Sequence, residues 1–477
     1  MLQRTDFYID GAFVPAQSDR RFTVVDPSTE DPYATIALGN SADTDAAVTA
    51  ARAAFPGWAA TPVAERIAAA ERILEAYKAR QDDMAEAMSR TMGAPIDFSR
   101  SSQFGAGLEN IKDAVEAAKS FRWEWSEGPG DHHLMMEPVG VIGMITPWNW
   151  PISQVTLKAA PAIIAGCTMV LKPSEFTPLD AMLFAEIIDA ADLPPGVFNL
   201  VNGDGPGVGN DLATHPQVDM ISFTGSTGAA MSITAAASGT LKRVRTELGG
   251  KGANIVFADA GPRAVKRGVR NCFSNTGQSC NAPTRMLVER SVYDAAIEEA
   301  RETAETTAVG AAQDAGRHIG PLVSERQFGR VQSLIETGIA EGARLVAGGP
   351  GRPEGFNRGF FVRPTVFADV TNDMTIAREE IFGPVLSMIP FDTEDEAIAI
   401  ANDTPYGLQN YVQSEDPARR KRVARQLRSG VITMNDRPRG MGAPFGGFKW
   451  SGNSREAGTF GLSEYVEVKS ISGWDPA

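Results

Sequence analysis

The feature that most restricts how this 477-residue chain can fold is a rhythm of short β-prone runs separated by helix-length stretches. The first series is Val139–Ile145, Thr168–Leu171, Val197–Val201, Asp219–Phe223 and Arg243–Glu247. After Gly250 the rhythm resumes at Ala253–Phe257, Arg285–Val288, Arg344–Val346, Val366–Val370, Val385–Phe391, Leu408–Gln413 and Val431–Asn435. Helical patterns such as Ser291–Thr307 and Asp395–Asn402 lie between several of these runs. Parallel strands need a long crossover between them, so this alternation predicts βαβ units. The reading is two consecutive α/β halves with a boundary near Gly249-Gly250. A chain of this length also exceeds what one hydrophobic core organises.

Two regions stand outside the rhythm. Phe7–Val14 places an Asp10-Gly11 turn between β-prone residues and predicts a hairpin. Asp43 to about Met92 is Ala-rich with apolar residues at helical spacing, which predicts two or three helices. Phe121–Trp125 and Glu464–Ile471 alternate like strands yet belong to neither half, and strands at such places could pair across subunits.

Charge narrows the partners. The chain carries 59 acidic and 45 basic residues, a net charge of -14, which disfavours phosphate backbones and anionic lipid surfaces. No nucleic-acid or membrane partner is expected. The longest apolar stretch, Ala159–Leu171, is shorter than the roughly 20 residues of a membrane helix and contains a proline. The start of the chain lacks the apolar run of a secretory signal. Three cysteines, Cys167, Cys272 and Cys280, make no disulfide framework and no CxxC pair. A cytoplasmic location is the expectation.

The motifs are individually weak. Gly203–Gly209 is glycine-rich, but Val208, Asn210 and Leu212 fall where the last glycine of GxGxxG belongs in each register. Phe223-Thr224-Gly225-Ser226-Thr227 lies between a strand and a helical stretch, where free N–H groups bind phosphate, although an ordinary N-cap is the commoner use. Glu175, in Leu171-Lys172-Pro173-Ser174-Glu175, sits at a strand end where a carboxylate can take both hydroxyls of an adenosine ribose and repel a 2′-phosphate. That favours NAD over NADP; a solvated glutamate is the bland alternative. Glu247 ends a strand just before Gly249-Gly250, and Cys280 ends the turn-like Gly277-Gln278-Ser279-Cys280. A lone cysteine is more often a small core residue than a nucleophile. The four histidines, His132, His133, His215 and His318, offer neither a local base motif for a thiol hydrolase nor a ligand cluster, so no metal site is expected.

Taken together, these segments resemble the aldehyde dehydrogenase superfamily through nearly the whole chain. The resemblance is carried by Thr146-Pro147-Trp148-Asn149-Trp150-Pro151, Lys172-Pro173-Ser174-Glu175, Phe223–Thr227, Glu247-Leu248-Gly249-Gly250-Lys251 and Gly277–Cys280. Glu379–Val385 and Pro444–Lys449 continue it in the same order. The resemblance implies a Rossmann-like cofactor domain, an α/β catalytic domain and a small β oligomerisation arm. On that architecture, residues 1–118 and 139–249 are expected to bind NAD and 250–450 to be catalytic. Residues 119–138 and 451–477 would form the arm and tail of a homodimer or homotetramer.

The resemblance also implies roles. Cys280 would be the nucleophile, Glu247 the general base, and Lys158 a lysine assisting proton movement. The Asn149 amide and the Cys280 N–H would form the oxyanion hole. The expected cofactor-binding residues are Ile145, Thr146, Pro147, Trp148, Lys172, Ser174, Glu175, Gly205, Phe223, Thr224, Gly225, Ser226, Leu248, Gly249, Glu380 and Phe382. Trp150, Gln154, Leu157, Ser279, Asn281 and Phe445 would line the substrate tunnel, with Trp150 narrowing it. Ser454, at a position often glycine in that family, is expected to alter a turn.

These roles suit the chemistry. Hydride cannot leave an aldehyde until its carbonyl carbon is tetrahedral, which thiolate addition achieves. Oriented N–H donors stabilise the resulting oxyanion, and losing one typically costs about 3–4 kcal/mol in the barrier. The thioester left on the cysteine then needs water and a base. Expected substrates are medium-sized aliphatic or aromatic aldehydes, or an ω-oxo acid if Arg437 or Arg439 receives a distal carboxylate. A CoA-acylating enzyme, a plain thiol esterase and a non-catalytic structural relative are the alternatives.

Overall fold

The computed structural model describes residues 1–127 and 132–474. Parts of the expected arm and tail, residues 128–131 and 475–477, lie outside the described residues.

The first series of runs forms one seven-stranded sheet in the order Arg243–Glu247, Met220–Thr224, Val141–Ile145, Thr168–Lys172, Phe198–Leu200, Asp6–Ile9, Ala12–Pro15. The first five strands are mutually parallel, and the N-terminal hairpin adds antiparallel through Leu200↔Tyr8. Val141–Ile145 and Thr168–Lys172 are buried at every position, as strands covered on both faces must be. Chain order along the sheet reverses between Val141–Ile145 and Met220–Thr224. Such a switch opens a crevice outside the carboxyl ends of the strands.

The second series forms another seven-stranded sheet: Arg344–Ala347, Thr365–Ala368, Val385–Phe391, Arg285–Glu289, Ala253–Val256, Gln409–Gln413, Val431–Met434. It is parallel except for its antiparallel edge strand Arg344–Ala347. The Ala-rich region folds into three helices, Ser41–Ala60, Val63–Lys78 and Gln81–Met92. Asn40 and Asp43 form a capping box at the first, each side chain accepting from the other's backbone N–H.

Two small sheets complete the fold. Leu2–Arg4, Asp31–Ala37 and Arg21–Asp26 form one that the periodicity did not announce. The other has His132–Pro138 at its centre, pairing antiparallel with Glu124–Glu127 on one side and with Val466–Ser472 on the other (Val466↔Pro138 to Ser472↔His132), so the two orphan strand patterns fall in one sheet of one chain, as its outer strands. Among the described residues, no helix is long and apolar enough to cross a membrane.

Arg243–Glu247 is the outermost strand of its sheet, yet its edge is not bare. The tail clasps it: Asn453 N–H donates to the Thr246 carbonyl (3.0 Å) and Leu248 N–H to the Ser451 carbonyl (3.0 Å). The Asn453 side-chain oxygen accepts from Thr246 N–H at 3.0 Å. Buried Ser451 donates to the Gly249 carbonyl (2.7 Å) and accepts from Gly407 N–H (2.9 Å). Ser451→Ala should orphan both buried backbone groups and cost about 1–3 kcal/mol, visible as a lowered thermal unfolding midpoint.

Candidate active site

Cys280 is delivered by strained backbone. After the helix Ala264–Phe273, three successive residues adopt left-handed φ: Asn275 (53°), Thr276 (57°) and Gly277 (71°). For the two that carry a Cβ this costs roughly 1–2 kcal/mol each. Hydrogen bonds hold the turn. Gln103 Nε2 donates to Asn275 Oδ1 (3.1 Å), and Thr276 Oγ1 to the Gly320 carbonyl (3.1 Å). Asn275 Nδ2 donates to the Asn149 carbonyl (2.8 Å) and the Gln278 carbonyl (3.1 Å). The turn leaves Cys280 half-buried, whereas Cys167 and Cys272 are fully buried. The Asn149 side-chain amide also donates to the Gln278 carbonyl, at 3.1 Å, so the expected oxyanion donor lies against the loop that carries Cys280.

Glu247 reaches the same place from the other sheet. A Cβ at Gly250 would lie 2.4 Å from the Cys280 carbonyl oxygen, so only glycine lets the chain after Glu247 pass this close. Glu247 is buried, with Oε1 accepting from Ser454 Oγ at 2.8 Å. Burial and the neighbouring Glu456 carboxylate raise its pKa well above the usual carboxylate range, against the Ser454 hydrogen bond and the charges of Lys158 and Arg455. Lys158, one of the charges acting on Glu247, has its ammonium ion-paired with the buried Glu456 carboxylate. Burial, and then the carboxylates of Glu380 and Glu247, push the Cys280 thiol above its ordinary value. Its own backbone N–H pulls the other way.

The expected cofactor residues gather along the carboxyl ends of the first sheet. Ile145–Trp148 leave the strand beside the switch, and Thr146 N–H donates to the Lys172 carbonyl at 3.1 Å. Lys172, buried, donates through Nζ to the carbonyls of Pro173 (3.0 Å) and Gly203 (2.7 Å) and lies 3.6 Å from Glu175. Phe223–Gly225 lead to Ser226, which caps the 11-residue helix Thr227–Ala237 by accepting from Ala229 N–H at 3.3 Å. The Thr224 hydroxyl is buried without a partner among the described residues, beside that helix N-terminus. From the second sheet, Glu380 accepts from Gly250 N–H at 2.9 Å and burial pushes its pKa to about 7. Phe382 packs edge-on against Trp148 at 5.3 Å between ring centres. Gly205 is apart from these, exposed at the start of the turn Gly205–Gly209.

Four of the six expected tunnel residues, Trp150, Ser279, Asn281 and Phe445, line one cavity of about 370 Å³ together with Arg437 and Arg439. Trp150 Nε1 donates to Ser279 Oγ at 2.8 Å. Gln154 and Leu157 do not line it. They lie one and two turns further along the helix Pro151–Ala165, and Leu157 faces a separate crevice beside Ser454 and Glu456. Arg439 donates to the Ala443 carbonyl (2.6 Å) and lies over the Phe445 ring. The Arg437 guanidinium is exposed and has no polar partner among the described residues.

Glu456, Gln103 and Asn275 are parts of this constellation that the sequence reading did not single out. Glu456 is 298 residues from Lys158, and no local pattern marks it.

A model of the aldehyde dehydrogenase family matches residues 13–471. The chain belongs to the aldehyde dehydrogenase family. This aldehyde dehydrogenase is 48% identical over 472 residues to the 3-succinoylsemialdehyde-pyridine dehydrogenase of a Pseudomonas species, covering 98% of each chain. Among solved structures it is similar to an aldehyde dehydrogenase from Bartonella henselae, at 54% identity and TM-score 0.98, over 99% of this chain and 100% of that one. It is similar as well to a mutant of aldehyde dehydrogenase C from Pseudomonas syringae in complex with NAD+ and octanal, at 49% identity and TM-score 0.97, covering 99% and 97%. The fold read from the alternation is thus the aldehyde dehydrogenase fold, and the protein is an oxidoreductase of the aldehyde group.

With two thiols sealed in the core, iodoacetamide should label one cysteine in the native aldehyde dehydrogenase. Cys280→Ser should abolish that labelling. Because burial and the neighbouring carboxylates raise this thiol, the labelling rate of the free protein should still be climbing at about pH 10, where an ordinary cysteine is almost fully ionised.

Proposed function

We propose that this aldehyde dehydrogenase oxidises a medium-sized aldehyde to its carboxylic acid with NAD, using Cys280 as nucleophile and Glu247 as base. The observation that carries the reading is the convergence of a half-buried thiol, a side-chain amide donor and a buried carboxylate at one seam between two sheets. The Cys280 sulfur adds to the aldehyde carbon, and the Asn149 amide and Cys280 N–H receive the oxyanion. When bound, NAD supplies the hydride acceptor and a positive charge that favours the thiolate. The thioester on Cys280 is then cleaved by water whose proton Glu247 takes, with the Lys158–Glu456 pair beside it.

The chain's fit to NAD rests on the capped helix at Ser226, the free Thr224 hydroxyl, and Lys172 and Glu175 held together at a strand end. The NAD+ complex of the Pseudomonas syringae relative supports it. Lys172, Ser174 and Glu175 would take the adenosine ribose, and Glu380 and Phe382 the nicotinamide riboside. In this reading residues 1–118 and 139–249 form the cofactor domain, 250–450 the catalytic domain, and 119–138 with 451–477 the arm and tail. The outer strand Val466–Ser472 leaves one sheet edge open, which supports a homodimer or homotetramer. Three free cysteines fit a cytoplasmic enzyme.

For the substrate, the octanal complex of that relative and the apolar Trp150 and Phe445 walls favour a chain of medium length. Arg437 favours, among such aldehydes, an ω-oxo acid: a free guanidinium at the rim can take a carboxylate in a bidentate pair.

An aldehyde panel with NAD, followed by NADH absorbance with and without CoA, tests the reading. Turnover should need no CoA and yield the free acid; turnover only with CoA would refute it. Glu247→Gln should give a single burst of NADH and then slow steady turnover by about 100-fold or more. Arg437→Ala should lower kcat/KM for an ω-oxo acid about 10-fold while sparing a neutral aldehyde of equal length; equal effects on both would remove Arg437 from substrate recognition.

A further inference from the structure

One side chain is hydrogen-bonded to Glu247, and the reaction outlined above does not use it. Ser454 Oγ lies 2.8 Å from Glu247 Oε1 and 3.2 Å from the Thr246 carbonyl oxygen, and Ser454 is 4% exposed. Its single proton can serve only one acceptor, and the closer, ionisable one makes the stronger bond. The other carboxylate oxygen, Oε2, is buried and has no partner among the described residues. Gly446 closes the far side of this slot at φ +151°. A Cβ there would stand 2.6 Å from Glu247 Oε1 and 2.3 Å from the Ser454 carbonyl oxygen.

The charged and titratable groups that face Glu247 are Glu456, Lys158 and Arg455, with the Cys280 thiol nearby. None of them bonds to it. Lys158 is committed to Glu456, and Arg455 donates to the carbonyls of Gly447 (2.9 Å) and Ser454 (2.6 Å).

We propose that Ser454 is a positioning residue for Glu247: its hydroxyl pins Oε1 in the slot against Gly446 and leaves Oε2 as the oxygen that accepts the proton of the hydrolytic water. The inference rests on Glu247 being the base of thioester hydrolysis. A carboxylate is planar, so fixing one oxygen fixes the direction of the other. This is the base-and-orienter logic of a catalytic triad, with a hydroxyl as the orienting group. The same bond stabilises the ionised carboxylate against burial and Glu456. Removing it therefore weakens hydrolysis twice, by orientation and by ionisation. Hydride transfer, which needs no proton taken by Glu247 from water, is spared.

The test compares Ser454→Ala, Ser454→Gly, Ser454→Thr and Glu247→Gln, using the full-length enzyme with NAD and a neutral aldehyde. Stopped-flow reads the NADH burst, and steady-state kcat is followed from about pH 5.5 to 9. Ser454→Ala should leave the burst rate unchanged, lower kcat about 10-fold at neutral pH and move the acidic limb up by about one pH unit. Ser454→Thr, which keeps the hydroxyl, should restore both; if the alanine variant does not fold, the glycine variant carries the same expectation. An acidic limb that stays in place, or a loss shared equally by the burst, overturns the proposal. If Glu247→Gln turns over at the wild-type rate, the base assignment itself has failed. If it stops turnover while the Ser454 variants keep the wild-type profile, only the role of Ser454 has failed.

Discussion

The site depends on a clasp of backbone hydrogen bonds. Residues 451–454 lie along the outer strand Arg243–Glu247, supplying the polar partners that an edge strand otherwise lacks. Because a strand edge can pair only in a defined register, the clasp fixes more than stability. It sets Ser454 on the Glu247 carboxylate, carries Glu456 to Lys158 and pins Gly249 through Ser451. A tail segment thereby decides the surroundings of a residue some two hundred positions earlier in the chain.

The electrostatic consequence is a buried carboxylate pair beside one ammonium. Burial, and then the Glu456 charge, raise the Glu247 carboxyl well above the usual carboxylate range. Glu456 has the Lys158 partner, and Glu247, with only a hydroxyl, is the one held towards its neutral form. In the proposed function, a carboxylate poised in this way can take a proton from water and give it up again. The proposed nucleophile is held in a similar state. Burial and carboxylates raise the Cys280 thiol above its ordinary value, and the left-handed turn Asn275–Gly277 leads the chain to it.

Much of this was legible in the chain. Of the first series, Thr168–Leu171 was expected and Thr168–Lys172 is found, and Val139–Ile145 shortens only to Val141–Ile145. Strands buried on both faces write themselves as unbroken apolar runs, so their existence is local information. The sheet Leu2–Arg4, Asp31–Ala37, Arg21–Asp26 was not legible, because short, partly exposed strands carry no such run. Among the proposed site residues, Cys280, Glu247 and Asn149 lie in the motifs that carry the family resemblance and Lys158 was implied by it, and the fold gathers them. Leu157 was not separable from Trp150 by sequence, since the turn of one helix sends one to the cavity and the other towards the tail.

By itself, the sequence determined the alternation that makes two parallel sheets, the glycines that allow close passage at Gly250, and the motif residues proposed to carry the chemistry. Those follow from short-range sterics and from hydrophobic period, which are written residue by residue. The tertiary structure alone decided which oxygen of Glu247 is engaged, that Glu456 rather than Glu247 pairs with Lys158, and that Arg439 is tied to the Ala443 carbonyl while Arg437 has no polar partner among the described residues. The physical reason is the range of the interactions: hydrogen bonds and ion pairs in a dry seam act over a few ångströms between residues hundreds of positions apart, and only the folded chain brings those residues within reach.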